Sequence, residues 1–309
     1  MEQKWYKKKY ITLHKIKVSV HSKLIIQIIE KIQFSLYNLF GDGKMNAIDR
    51  TLKYVDLYLV KNLNDIPCYQ LPEGYRFVLF KDGDEKDWVE IEMSSGEFIS
   101  FEEGMKAFQH YYGEHYEELK KLCIFIENNK GEKVATSTAF YLENPLSDIT
   151  GDVHWVSVKS EYQGKKLSKP LIIETLKILK KLGHKKTLLH TQTHTWLAVK
   201  IYLDIGFEPY KLEENYLGWQ IIKRITNHAK LSNINEIEYY DMYNPLYIQA
   251  YNFLQDKYKE PFNYKIWDEK GNFIGINFNS TAYYYKYTYE KGHLEIVSEV
   301  NENDVLKYL

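Results

Sequence analysis

The residues with the clearest chemical potential are Gln163-Gly164-Lys165-Lys166-Leu167-Ser168. They lie between a β-branched run, Val153–Val158, and an apolar-periodic stretch that ends at Leu182. In that stretch Leu171, Thr175, Ile178 and Leu182 fall on one helical stripe, with Ile172, Leu176 and Leu179 beside it. Pro170 falls in the first turn, where a missing N–H costs little. A strand feeding a loop that opens a helix leaves the first-turn amides unpaired, and the helix dipole favours negative charge there. Lys165 and Lys166 add positive charge, so a pyrophosphate is the natural guest. The spacing is neither that of a GxxxxGK[ST] loop nor that of GxGxxG.

Other reactive residue types are more scattered. His190 and His194 are four apart, but no HExxH accompanies them and their segment reads as a strand end, so no metal is expected. The two cysteines, Cys68 and Cys123, form no CxxC. A disulfide framework is not expected, a reducing compartment fits, and Cys123 reads as a buried small residue. Lys and Arg number 41 against 42 Asp and Glu, so the balanced charge does not point to a nucleic-acid partner. The tail aromatics Tyr283, Tyr284, Tyr285, Tyr287 and Tyr289 lack a basic patch around them and read as sheet packing rather than base-stacking groups.

The elements that must position these residues read as a mixed α/β pattern. Strands are expected at Tyr54–Val60, Tyr75–Phe80, Leu122–Glu127, Val134–Leu142, Asp152–Lys159 and Thr187–Thr193. Helices are expected at Asp84–Met93, Phe101–Tyr112, in the stretch ending at Leu182, and at Thr195–Asp204. Trp219–Ile225 reads as a last strand, paired with Phe207–Lys211. The order is neither a plain βαβ alternation nor all-β. Hydrophobic residues make up 44% and charged residues 27%, so a folded chain is expected rather than a disordered one.

Three regions are expected: an N-terminal extension over 1–50, a catalytic-type domain over 51–225 and a C-terminal α+β extension over 226–309. Ser22 can cap a helix running to Phe40, best read as packed on its own domain, with a homodimer left open. Its apolar part, Leu24–Phe40, is broken by Gln27, Glu30, Lys31, Gln33 and Asn38 and is too polar and short for a membrane span. The basic start, Lys4 with Lys7, Lys8 and Lys9, is followed by no signal-peptide core. The expectation is a soluble, cytoplasmic protein with no membrane partner. In the tail, Tyr239–Tyr258 reads as helical, Tyr264–Asp268 with Phe273–Asn277 as one hairpin, and Tyr283–Tyr289 with His293–Val297 as another.

The stretch from Val156 to Leu171 resembles the acetyl-CoA loop of the GNAT acetyltransferase superfamily, patterned Gln/Arg-x-x-Gly-x-Gly/Ala. Gln163 matches the first position, while Lys166 and Ser168 stand where the family has glycines. A second block follows at the family's distance. Ala198, Tyr202, Gly206 and Phe207 match Asn-x-x-Ala-x-x-x-Tyr-x-x-x-Gly-Phe, with Thr195 in place of Asn. The resemblance covers roughly residues 54–225 and implies an acyl-CoA N-acyltransferase fold of the α/β, mixed-sheet class.

It also implies roles. The backbone of Val156, Ser157 and Val158 would pair with the pantetheine arm of acetyl-CoA. The amides of Gln163–Ser168 would hold its pyrophosphate, with Thr195 at the cofactor side. The acceptor would be a primary amine of a small molecule or peptide, attacking the thioester directly in a ternary complex. Tyr202 would protonate the leaving thiolate. His154, on the strand entering the loop, is a candidate base, with His190 on the next strand a second one, since a histidine titrates in the useful range. His190, Trp88 and Glu92 are candidate acceptor-binding residues, although an exposed surface carboxylate is the safer reading of Glu92. A non-catalytic acyl-CoA-binding protein on the same fold is the alternative, motivated by Lys166, Ser168 and Thr195.

Overall fold

The computed structural model describes residues 48–49, 52–98 and 100–242, and the backbone of four further strands between 264 and 300. These residues belong to one compact unit, Asn46–Leu309. The helix expected over Ser22–Phe40 lies outside the described residues, as does the Tyr239–Tyr258 helix beyond a short 3-10 turn at Tyr239–Met242.

The chain runs β1 (Asp56–Asn62), β2 (Tyr75–Leu79), α1 (Glu85–Ser95), α2 (Phe101–Tyr112), α3 (Tyr116–Leu122), β3 (Cys123–Asn128), β4 (Lys133–Leu146) and β5 (Ile149–Val158). It continues through α4 (Ser168–Lys181), β6 (Lys186–Gln192), α5 (Trp196–Asp204), β7 (Glu208–Tyr210) and α6 (Tyr216–Thr226). Seven strands form one sheet in the order β2-β3-β4-β5-β6-β1-β7. Only β5 and β6 pair in parallel; their crossover is α4, as a parallel pair requires.

Side chains alternate across the sheet and build a core on each face. On β4, Ala139 joins the core under α4, α5 and α6, where Ile172, Leu176, Tyr202, Leu203 and Trp219 meet. Its neighbour Phe140 joins the other core, under α1, α2 and α3, with Trp88, Phe108, Tyr112 and Phe125. Local signals fix the helix ends. Ser100 accepts a hydrogen bond from the Glu103 amide at the start of α2, and Gly96 ends α1 in the left-handed region at φ 96°.

Two expectations need correction. Trp219–Ile225 is not a strand but most of α6, whose Gly218, Trp219, Ile221 and Ile222 are buried. A short apolar run does not distinguish strand from helix, and Gly218 decides the matter: a Cβ there would lie 2.8 Å from Leu57 and Val55, so this face of α6 sits directly on β1. The expected strand at Phe207–Lys211 does form, as β7, and pairs with β1 instead. The second correction is α3, a seven-residue helix in a stretch to which the sequence reading assigns no element. The expected hairpins of the tail form as β8 (Tyr264–Glu269) with β9 (Phe273–Phe278) and β10 (Thr281–Glu290) with β11 (His293–Val300), joined into one four-stranded antiparallel sheet. The side chains of the aromatic tail residues lie outside the described residues. Among the described residues no helix is long and apolar enough to cross a membrane.

One buried charge has no ion-pair contact. Lys61 on β1 is 5% exposed and, among the described residues, forms no ion pair or hydrogen bond, with only the longer-range attraction of Asp65 to offset its burial. Its Nζ packs on Gly206, where a Cβ would approach to 2.8 Å and where φ is +98°, so Gly206 is required twice over. Burial holds the Lys61 ammonium below its ordinary pKa. Its cost to folding is full below the folded value and fades as pH rises towards the unfolded one. We therefore expect Lys61→Met to raise the melting temperature at neutral pH by roughly 2–4 °C, for a gain of about 1 kcal/mol. Calorimetry at pH 7 and pH 10 checks this, with the advantage shrinking at the higher pH.

Candidate active site

The site begins where a sheet stops pairing. β5 and β6 are in register only at Ile149↔Lys186, Gly151↔Thr187 and Asp152↔Leu188. Beyond that point β5 continues through Val158 and β6 through Gln192 without pairing to each other. A β-bulge accompanies the split. Thr138 opposes His154 and Thr136 opposes Ser157, so Trp155 and Val156 together face Ser137. Trp155 takes a left-handed φ of 47°. A bulge bends and twists its strand, here turning β5 away from β6. The backbone of Val153–Val158 on that side has no strand partner among the described residues, which is how a sheet edge receives an extended ligand.

Packing from α1 and α2 holds the bulge. The Trp155 ring sits 5.1 Å from Trp88, 5.5 Å from Phe98 and 5.4 Å from Tyr111. Ser157 donates to Glu92 Oε2 at 2.5 Å, and its hydroxyl lies 3.3 Å from that of Ser95. The Ser160 amide donates to Ser94 Oγ at 2.9 Å. Trp88 is thus wholly buried behind Trp155 and borders no open surface, unlike its expected place at an acceptor pocket. Glu92 is not the exposed carboxylate of the alternative reading either. It is fully buried, its Oε1 has no partner, and desolvation pushes its carboxyl up to about 8 despite the Ser157 hydrogen bond.

The loop after β5 bends through two left-handed residues. A 3-10 turn at Ser160–Tyr162 leads into Gly164 at φ 75° and Lys166 at φ 63°. Lys166 stands where a glycine was expected and keeps the left-handed backbone a glycine would adopt. Gly164, Lys165 and Lys166 are exposed, while Leu167 is buried beneath them. The first turn of α4 has no side-chain cap and no acidic residue. Pro170 has no N–H and the Leu171 amide bonds to the Leu167 carbonyl at 3.1 Å, so the amides of Ser168 and Lys169 are the ones without a side-chain cap. The Gln163 side chain donates to the Val158 carbonyl at 3.2 Å, tying loop to strand. Lys165 Nζ lies 4.1 Å above the Tyr162 ring and Lys169 pairs with Asp204 at 3.1 Å. Ser168 is the first residue of α4. Thr195 bonds locally, to the Gln192 carbonyl at 2.9 Å and Thr191 at 2.7 Å.

Acid–base groups flank the gap from both faces. Tyr202, on α5, is 5% exposed. Its phenol is held above the ordinary range by burial and then by Glu92 and Glu97. On the other face, His154 Nδ1 lies 3.0 Å from Tyr112 Oη. Burial keeps that phenol protonated, so it donates to Nδ1. Burial, with a contribution from His190, lowers His154 to about 4. His154 is therefore neutral but a weak base. His190 differs. Its Nε2 lies 2.9 Å from Asp56 Oδ1 and its ring stacks on Tyr58 with centroids 4.7 Å apart. The carboxylate accepts from Nε2–H, which leaves Nδ1 free to accept a proton. Asp56 is also bonded by Tyr54 Oη at 2.9 Å. His194 turns elsewhere, to the Leu52 carbonyl at 2.9 Å, and among the described residues no three metal-ligating side chains converge.

Asp56 and Tyr58 were missed from sequence because 134 residues separate Asp56 from His190 and only the β1–β6 pairing brings them together. Glu92 gives the clearest check on the electrostatics. Its folded carboxyl is raised from 4.5 to about 8, so the folded chain holds a proton that the unfolded chain has lost between those values. That contribution is full below the unfolded value and is lost as pH rises through the folded one, at up to about 1.4 kcal/mol per pH unit. We expect wild-type stability in urea to fall from pH 5 to pH 8 and the neutral isostere Glu92→Gln to flatten that fall.

Residues 86–207 match the model of the acetyltransferase (GNAT) family. No curated protein matches the chain. Among solved structures, a GCN5-related N-acetyltransferase from Sphaerobacter thermophilus is similar at 18% identity and a TM-score of 0.41, with 52% of this chain and 50% of that one covered. An acetyltransferase from the GNAT family of Colwellia psychrerythraea is similar at 14% identity and a TM-score of 0.41, with 52% of this chain and 55% of that one covered. The chain thus spans about half the length of these relatives. The family assignment rests on the matched segment, which contains the bulged strand, the loop and both blocks around Gln163 and Tyr202. Residues 86–207 are an acetyltransferase domain of the GNAT family.

Proposed function

We propose that this domain transfers the acetyl group of acetyl-CoA to a primary amine of a small molecule or peptide, by direct attack in a ternary complex. The observation that carries the reading is the continuity of one surface. The unpaired edge of Val153–Val158 runs directly into the left-handed loop and the uncapped first turn of α4. An extended amide-bearing arm ending in a pyrophosphate suits that surface. Its amides would pair with Val156, Ser157 and Val158, and its phosphates with the backbone N–H groups of Gln163–Ser168.

The thioester end would then lie in the gap, between Tyr202 on one face and His190 on the other. The amine nitrogen attacks the carbonyl carbon, the N–C bond forms and the C–S bond breaks. His190, oriented by Asp56, takes the proton that the ammonium must lose. We place the base there rather than at His154, because a group near pKa 4 is badly matched to an ammonium. Tyr202 keeps its proton at neutral pH and gives it to the departing thiolate.

A CoA-binding protein without turnover is the competing outcome on the same fold. It is favoured by Thr195, whose hydroxyl is already spent on its own turn. Thiol release over an amine panel, with calorimetric acetyl-CoA binding as control, separates the two. In that assay we expect Tyr202→Phe to lower kcat by roughly 10²-fold while leaving CoA affinity within about twofold. Unchanged turnover across pH would remove Tyr202 from the acid role.

A further inference from the structure

Asp152 is a carboxyl group that the acyl-transfer scheme does not use. It stands on β5 where pairing with β6 ends. Its cross-strand neighbours are apolar on both sides, Phe140 on β4 and Leu188 on β6. It is half-buried, and no described side chain gives it a hydrogen bond or an ion pair. The amide of Val153 is its one stabilising contact, and burial raises its pKa to about 7. A carboxylate in such surroundings costs folding energy unless a cation meets it.

The register says what lies beside it. Residues two apart on a strand share a face, so Asp152 and His154 project on the same side of β5. Leu188, opposite Asp152, shares that face, and so does His190 two residues on. The stack of His190 on Tyr58 shows that β1 contributes to the same surface. The nearest lysine on β6, Lys186, is already paired with Asp148 at 2.8 Å. The face therefore presents an unpaired acid beside the proposed base, with aromatic rings between strands and no cation assigned to the acid.

We infer that the acceptor is dicationic: one amine reacts beside His190 while a second ammonium group is held by Asp152. This rests on the acyl-transfer reading above and names its acceptor class. The strand spacings put the two positions roughly 7–8 Å apart, the reach of about four or five methylenes. The class is thus a diamine, a polyamine or a basic amino-acid side chain with a second amine, rather than a simple alkylamine. Phe140 and Leu188 would flank the second ammonium and exclude water, which strengthens a charge pair.

Matched probes test this: 1,5-diaminopentane against 1-aminopentane, with wild type and Asp152→Asn. Thiol release is followed with acetyl-CoA, and binding of each amine to the full chain is measured by calorimetry with and without CoA. We expect wild type to favour the diamine at least tenfold in kcat/KM and in affinity. In Asp152→Asn that preference should fall to within about twofold, mainly through KM, with the monoamine unaffected. Equal use of both amines by wild type, or a preference retained in the variant, overturns the inference and leaves acetyl transfer standing. If neither amine turns over, binding decides: selective binding lost in the variant upholds the Asp152 site, and unselective binding overturns it. Absence of CoA affinity would instead sink the acyl-transfer reading, whatever the amines do.

Discussion

Everything at this site depends on β5 and β6 parting after Asp152↔Leu188. A parallel pair inside a sheet normally satisfies its backbone along its length. Here the left-handed Trp155 and the two-against-one bulge turn β5 aside, and the sheet acquires an open edge in its interior. That geometry is not self-supporting. It is held by the Trp155 ring among Trp88, Phe98 and Tyr111, and by the hydroxyl of Ser157 on a buried Glu92. The aromatic core under α1 and α2 therefore serves the site by fixing the angle at which β5 leaves its neighbour.

The same burial sets the proton chemistry. Glu92, Asp152, His154 and Tyr202 are all displaced towards their neutral forms, because each sits in low-dielectric surroundings with few charge partners. His190 is exposed and held by the Asp56 carboxyl group at 2.9 Å. The gap is thus a slot poor in fixed charge apart from Asp152, with one oriented imidazole at its open side. Such a slot suits a reaction in which a neutral amine must meet a neutral thioester.

Much of this was legible in the sequence where local rules act. Pro170, the apolar stripe from Leu171 to Leu182 and the loop from Gln163 to Ser168 announce a strand–loop–helix junction, and α4 follows it. Gly206-Phe207 marks the end of α5, and the structure explains the glycine by its positive φ and by Lys61. The bulge was not legible, because Trp155 within Val153–Val158 reads as one more alternating strand residue and only packing across the sheet turns it over. Asp56 became part of the site through strand pairing, which no spacing reveals. The α6 segment failed for the opposite reason: its few apolar residues fit either period, and contact of Gly218 with β1 settled the matter.

We propose that the open β5 edge and the loop after it form one continuous binding surface for an acyl-CoA. Amide hydrogen exchange with and without acetyl-CoA tests it most directly. We expect slowed exchange over Val153–Val158 and over Gly164–Ser168 together, with β2 and β3 unchanged. Saturating acetyl-CoA that leaves both segments exchanging at their free rates, or protects them only together with the rest of the sheet, would contradict it.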